Sequence, residues 1–311
     1  MVMIYTLTLN PALDKEYRVT TLVLDEVVRS KQARIDFGGK GFNVSRMLRR
    51  LGVDCIALGF VGGYTGDILS QGLESLGIRT ELTRIDGETR TNVSIVGEKD
   101  SHYLKINEEG PSVSQDEMNT LLRKIDTITR QGDFWVLAGS VPNKVPDDIY
   151  FKIIQKVNQA GAFAILDSSG LPLKLGIKAK PFLIKPNVDE LSQLIGREIL
   201  DIIDLSDVAQ ELHSQGIQNI LVSMGEKGAL LSALSHQFVG RSSAISVMNP
   251  IGAGDAMIAG YIWRLIEGDS TEAALHWSIA CGTAATSLPG TETPSLERVR
   301  ACYQKISVKA L

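Results

Sequence analysis

Asp255 closes the tetrapeptide Gly252-Ala253-Gly254-Asp255, set between the polar run Asn249-Pro250-Ile251 and the apolar stretch from Ala256 to Ile266. A glycine-bearing turn that opens onto a helix aims free backbone N–H groups at one point. The positive end of the helix dipole lies there too, so an anion is favoured. A carboxylate beside such a place is repelled by a phosphate unless it has work of its own, and accepting the proton of an attacking hydroxyl is one such task. The alternative is that Asp255 merely complements the helix N-terminus.

A second glycine cluster, Gly38-Gly39-Lys40-Gly41-Phe42-Asn43, precedes a helical pattern. It is not a P-loop, because Gly41 follows Lys40 and no Ser or Thr is placed to hold magnesium. Nor is it a dinucleotide fingerprint, since Val44 stands where the third glycine belongs; Met257 fails the same test for Gly252 and Gly254. What remains is a turn at a helix start whose lysine and asparagine can hydrogen-bond a polyol, or simply a flexible turn.

A third group, Lys185-Pro186-Asn187-Val188-Asp189-Glu190, follows the strand candidate Phe182 to Lys185, at the strand end where open α/β sheets place ligand groups. Lys185 can meet a nucleotide phosphate, and Asn187 with Glu190 can hold the water shell of Mg²⁺. The same spacing is a capping box in form, and a cap does not use every oxygen. Asp14 could accept hydrogen bonds from two sugar hydroxyls or be a turn aspartate. Ser140, after Gly139, ends the strand candidate Phe134 to Ala138. Arg90, near Thr89 and Asn92, could clamp a phosphate bidentately or be an ordinary solvated arginine.

These residues need a scaffold, and the chain supplies one. Apolar strand-like runs at Cys55 to Phe60, Phe134 to Ala138, Phe163 to Asp167, Phe182 to Lys185 and Ile220 to Ser223 alternate with helical spacing. The helical positions are Val44, Met47, Leu48 and Leu51; Ile68, Leu69, Leu73 and Leu76; and Ile149, Ile153, Ile154 and Val157. That alternation predicts βαβ units in a mostly parallel sheet. Gly52, Gly77 and Gly161 fall where helix C-terminal caps belong, and Asp255 to Ile306 is nearly all helical in pattern. Lys15 to Asp36 and Glu88 to Asn107 break the rhythm and predict a small second sheet, one face of which must cover a cleft, a partner or both.

With 311 residues, 44% of them hydrophobic, the chain can bury a large core. A formal charge of -4 and a pI near 5.7 give no overall attraction to nucleic acid or to an anionic membrane. No apolar run reaches the ~20 residues of a membrane span, and the opening Met1-Val2-Met3-Ile4-Tyr5 is unlike a signal peptide, so a cytoplasmic protein is expected. Cys55, Cys281 and Cys302, like the scattered histidines, support neither a disulfide framework nor a zinc site.

Gly38-Gly39-Lys40-Gly41-Phe42-Asn43-Val44-Ser45, followed by Gly52 and Gly62, and Gly252-Ala253-Gly254-Asp255 resemble the two signatures of the PfkB branch of the ribokinase-like sugar kinases. The resemblance runs through nearly the whole chain. It implies a Rossmann-type α/β core (residues 1–10, 37–87 and 108–311) and a β-sheet lid (11–36 and 88–107) that makes a homodimer contact. Thr8 to Asp14, Thr89 to Asn92 and Lys185-Pro186-Asn187 look like the phosphosugar members.

By that resemblance Asp255 would be the base, and the N–H groups of Ala253, Gly254 and Asp255 the anion hole entered through Gly252. Asp14, Gly38, Gly39, Asn43 and Ser140 would hold the sugar, with Lys40, Arg90 and Arg29 on its phosphate. Lys185, Asn187 and Glu190 would serve ATP and Mg²⁺, Ser223, Gly225 and Gly228 would line the nucleotide site, and a monovalent cation is left open. The expected reaction is phosphorylation of fructose 1-phosphate at its 6-hydroxyl. Tagatose 6-phosphate and fructose 6-phosphate are the rival acceptors. Many members carry Thr-Val where this chain has Pro250-Ile251; Asn249-Pro250 is similar to tagatose 6-phosphate kinases, and Gly59 to Gly63 with Thr91-Asn92-Val93 to fructose 1-phosphate kinases. A sugar-phosphate-binding regulator without catalysis and a nicotinamide oxidoreductase are the readings from other classes, the latter weakened by the missing fingerprint.

Overall fold

The computed structural model describes residues 2–99, 102–243 and 247–311; residues 100 and 101, within the expected small-sheet segment, lie outside that range, as do 1 and 244–246. The chain opens with β1 (Ile4–Thr8), β2 (Ala12–Val19), β3 (Gln32–Gly38), α1 (Lys40–Arg50), β4 (Ile56–Val61), α2 (Gly63–Ser75), β5 (Arg79–Thr80) and β6 (Thr83–Arg84). It continues through β7 (Arg90–Gly97), β8 (Tyr103–Asn107), α3 (Gln115–Ile128), β9 (Phe134–Ala138), α4 (Ile149–Gln159), β10 (Phe163–Asp167), α5 (Gly170–Gly176), β11 (Leu183–Ile184), α6 (Val188–Ile195) and α7 (Ile202–Ser214). The last elements are β12 (Asn219–Ser223), β13 (Ala229–Ala233), β14 (Gln237–Ser242), α8 (Ala253–Ile266), α9 (Thr271–Thr286), α10 (Leu296–Tyr303) and β15 (Ile306–Ala310).

The large sheet runs β15-β14-β13-β12-β11-β10-β9-β1-β4-β5, with β6 also on β4. From β12 to β5 every pairing is parallel. Strand residues alternate between its two covered faces, as a period of two requires. Val136 and Ala138 pack with Phe42, Met47, Leu48 and Ile258 on one side, whereas Trp135 and Leu137 pack with Leu121, Ile153, Val157 and Val208 on the other. Gly52, Gly77 and Gly161, expected as caps, follow α1, α2 and α4 with φ of 80°, 74° and 71°, a region that disfavours side chains.

The sequence pattern did not reveal the antiparallel strands β13, β14 and β15, which extend one edge of the sheet. The strand expected over Phe182 to Lys185 shrinks to Leu183–Ile184. A second sheet, ordered β3-β2-β7-β8, stands apart from the first. Tyr103 and Ile106 on β8, Ile35 on β3 and Val27 in the β2–β3 loop are exposed on it. Among the described residues no helix is long and apolar enough to cross a membrane.

Candidate active site

The chain leaves β1 for the small sheet and returns through α1 to β4 on one side, whereas β9 and its successors add on the other side of β1. Such a reversal opens a crevice at the carboxyl ends of the strands. Both glycine turns meet there. Gly39, the N-cap of α1, has φ 127°, and a Cβ on it would lie 2.5 Å from Thr8 Cγ2. Thr8, the last residue of β1, accepts the Phe42 N–H at 3.1 Å and so caps a first-turn donor. Gly252, the N-cap of α8, has φ 81°. The Ala253 N–H already donates to the Pro250 carbonyl at 3.3 Å, so it is less free for an anion than expected. The N–H groups of Gly254 and Asp255 belong to the turn that a helix leaves without intrahelical acceptors.

Asp255 is only 5% exposed, and its Oδ2 accepts from Asn43 Nδ2 at 2.8 Å rather than from a capping group. Burial, reinforced by the negative charge of Asp167, pushes its carboxyl up to about 6, against the pull of Lys40, the Asn43 hydrogen bond and Lys185. Asp167, at the end of β10, is 1% exposed. Its Oδ1 faces Lys40 Nζ at 3.1 Å and Lys185 Nζ at 3.5 Å. Burial alone would raise the Asp167 carboxyl, but the Lys185 and Lys40 ammonium groups outweigh it and hold the carboxyl below the ordinary aspartate range. Lys40, although burial opposes its charge, is held above the usual lysine range by Asp167, Asp255 and Glu190.

A base of this kind must be ionised to work, so activity should fall below about pH 6. Sugar phosphates titrate in the same region, which makes the variant the informative case. Asn43→Ala removes the hydrogen bond that favours the carboxylate, and the acid limb of kcat/KM should move to higher pH; an unmoved limb would remove Asp255 from the profile. The stability sign also follows. Between the ordinary 3.8 and about 6 the folded state holds the Asp255 proton more tightly than the unfolded chain, so this group's contribution falls as pH rises through that window.

The remaining residues sort by place. Asp14 on β2 accepts from Asn92 Nδ2 at 2.7 Å, burial raises its carboxyl, and a Cβ on Gly38 would lie 2.1 Å from its Oδ2. Ser140 Oγ accepts from Asn10 Nδ2 at 3.3 Å. Arg90 is half-buried rather than solvated, and it donates to the carbonyls of Asn10, Pro11 and Glu108 at 3.0, 3.4 and 2.9 Å. A bidentate phosphate clamp would have to use what those bonds leave. Asn187 and Glu190 form the complete capping box of α6, through Glu190 N–H to Asn187 Oδ1 at 2.7 Å and Asn187 N–H to Glu190 Oε2 at 2.9 Å. Ser223 N–H bonds the Pro186 carbonyl at 3.1 Å, which sets the Gly225 to Gly228 turn beside α6. Arg29 lies exposed in the β2–β3 loop.

Two residues central to this arrangement were not singled out in the sequence. Asp167 ends the strand candidate Phe163 to Asp167, and a carboxylate closing that apolar run at a carboxyl edge is the same signal that marks Ser140. Arg46 lies three residues after Asn43, hence on the same helical face, and that spacing was its one visible sign. The donor set suits a nucleotide's phosphates and Mg²⁺ on two counts. Lys185 Nζ approaches Gly254 so closely that a Cβ there would lie 2.8 Å from it, which puts the ammonium against the first turn of α8, and Asp167 Oδ2 is buried without a hydrogen-bond partner. Among the described residues no cluster of three or more His, Cys, Asp or Glu could hold a metal by itself.

A large, mostly parallel sheet covered on both faces, a smaller sheet beside it and a crevice at the strand reversal define a ribokinase-like α/β protein. Escherichia coli phosphofructokinase-2, in a complex with potassium, matches with a TM-score of 0.93 and 29% identity, covering 98% of this chain and 99% of that one. The chain belongs to the PfkB family: the description "pfkB family carbohydrate kinase" matches residues 1–298. It is similar to 1-phosphofructokinase of Bacillus subtilis, 35% identical over 282 residues that cover 91% of this chain and 92% of the relative. It is equally similar to tagatose-6-phosphate kinase of Staphylococcus epidermidis, 35% identical over 283 residues, 90% of this chain and 91% of the relative. The chain is accordingly a phosphotransferase with an alcohol group as acceptor.

Proposed function

We propose that this kinase transfers the γ-phosphoryl group of ATP to the 6-hydroxyl of fructose 1-phosphate, giving fructose 1,6-bisphosphate and ADP. The observation that carries the reading is the buried Asp255 carboxylate, held by Asn43 at the head of α8 and flanked by Lys40 and Lys185. In the proposed step the acceptor oxygen attacks the γ-phosphorus as its proton passes to Asp255, and the bond to the β-bridging oxygen breaks so that its electron pair leaves with ADP. Lys185 and the N–H groups of Gly254 and Asp255 answer the charge on the transferring group. Asn187 and Glu190 would hold Mg²⁺ through water, and the ion would supply further neutralisation of the phosphates. Lys40, with the N–H groups left on Arg90, faces the sugar's own phosphate, while Asp14 and Ser140 hold its hydroxyls. Gly252 supplies the left-handed turn.

Kinases named for fructose 1-phosphate and for tagatose 6-phosphate are both relatives at 35% identity. The acceptor is therefore argued from Gly59 to Gly63 and Thr91-Asn92-Val93, with Asn249-Pro250 pulling toward tagatose 6-phosphate. Coupled ADP-release assays with fructose 1-phosphate, tagatose 6-phosphate, fructose 6-phosphate and fructose, each with and without added K⁺, test this. The highest kcat/KM is expected for fructose 1-phosphate. A higher value for another phosphosugar reassigns the acceptor, and no release with any of them favours a binding regulator. The exposed side chains of the small sheet support a homodimer through that face; sedimentation velocity showing only monomer at micromolar concentration would count against it.

A further inference from the structure

Arg46 on α1 has a side chain only 10% exposed. Its Nη1 donates to Asn43 Oδ1 at 3.4 Å and to Thr291 Oγ1 at 3.3 Å, and its Nη2 pairs with Asp36 Oδ1 at 3.8 Å. A primary amide has one accepting oxygen and one donating NH₂, whereas a guanidinium only donates. The guanidinium therefore fixes which end of the Asn43 amide faces it, and the NH₂ is left toward Asp255, where it donates to Oδ2 at 2.8 Å. In the opposite setting two donors would face each other and the amide oxygen would face a carboxylate. Asp36 lies on β3 and also pairs with Arg34 Nε at 3.1 Å; Arg34 in turn meets Glu16 Oε2 on β2 at 3.4 Å and the Pro289 carbonyl at 3.3 Å. A continuous set of polar contacts thus runs from the small sheet through Arg46 and Asn43 to Asp255.

We propose that Arg46 is a positioning residue for Asp255, acting through Asn43, and that its pairing with Asp36 makes the setting of Asp255 depend on the small sheet being seated against α1. The inference rests on the reading of Asp255 as the base, and it adds a condition to it. With the sheet displaced, Arg46 loses Asp36, the Asn43 amide loses its fixed orientation, and the carboxylate loses its directed donor. Such misplacement away from the reacting atoms can cost about 10²-fold in rate.

The test is a double-mutant cycle in kcat with ATP and fructose 1-phosphate. Arg46→Met should lower kcat by about 10- to 100-fold with KM for ATP changed less than about twofold. In an Asn43→Ala background the same substitution should cost less than about twofold, because residues acting in series are not additive. Arg46→Lys should recover only part of the loss, since an ammonium cannot serve three acceptors in a fixed fork; it also provides a folded comparator if the methionine variant unfolds. Equal losses in both backgrounds would overturn the proposal. A second readout needs no turnover. The Asn43 side-chain NH₂ resonances, assigned by their loss in Asn43→Ala, should follow Asp255 as it titrates among Asp167, Lys40 and Lys185, and that response should vanish in the Arg46 variant. An inactive wild type that keeps this behaviour would sink the kinase reading and leave the positioning intact; an active one whose Asn43 response survives Arg46→Met would do the reverse.

Discussion

Asp255→Asn should lower kcat about 10²- to 10⁴-fold, the usual worth of a positioned general base, while ATP still binds with affinity close to that of the parent. The substitution keeps the shape of the side chain and removes only its capacity to take a proton. It also brings an amide against the Asn43 NH₂, which at present donates to the carboxylate at 2.8 Å. Stability should move the other way. The buried carboxyl is raised to about 6, so above that pH the folded protein carries an ionised group it would rather hold protonated, and asparagine removes that penalty. The Tm at pH 7.5 should be unchanged or higher. Activity lost without stability is the signature of a residue kept for chemistry, and near-parental turnover would end the assignment of Asp255 as the base.

Asp167→Asn should act through stability first. Lys185 is 5% exposed and faces Asp167 Oδ1 at 3.5 Å, so the variant leaves a buried ammonium without its counter-charge. Breaking a buried pair by removing one partner costs about 3–5 kcal/mol, and the lower end is expected here because the other partner, Lys40, retains contact with solvent. The Asp167 carboxyl is held below its ordinary value, so its contribution is present above about pH 3.8 and is lost as pH falls through the folded value. The gap between parent and variant in urea unfolding should therefore close in acid. Phosphate or ATP should raise the variant's Tm more than the parent's, because an anion can replace the missing charge. A loss below about 1 kcal/mol, typical of an exposed pair, would show that Asp167 does not hold the two lysines in place.

How much of this was legible beforehand depended on whether a feature is local. Phe134–Ala138 and Phe163–Asp167 emerged with the expected bounds, because a fully buried parallel strand is a short apolar run between turn signals. The glycine turns were legible for a similar reason: Gly39 and Gly252 sit at positive φ, and a sequence that needs such a conformation writes glycine there. β15 pairs with β14 across three intervening helices, and nothing in Ile306 to Ala310 announces a partner so distant. The charge cluster was legible by halves. Lys40, Lys185 and Asp255 stand in motifs, whereas Asp167 gains its importance from Lys40, 127 residues away in sequence, and Arg46 from holding Asn43, whose partner Asp255 lies 212 residues further on. Arg90 shows the converse. Its guanidinium suggests a phosphate, and the fold spends three of its N–H groups on the carbonyls of Asn10, Pro11 and Glu108.

The central claim is that a hydroxyl of a ketohexose phosphate is phosphorylated beside Asp255. ³¹P and ¹³C NMR of a reaction containing the parent enzyme, ATP, Mg²⁺ and fructose 1-phosphate tests it most directly. The account predicts ADP and fructose 1,6-bisphosphate in equal amounts, with the new phosphorus coupled to C6 and with no such product from Asp255→Asn over the same time. ADP formed without a new phosphate ester, or the same product at the same rate from Asp255→Asn, would contradict it.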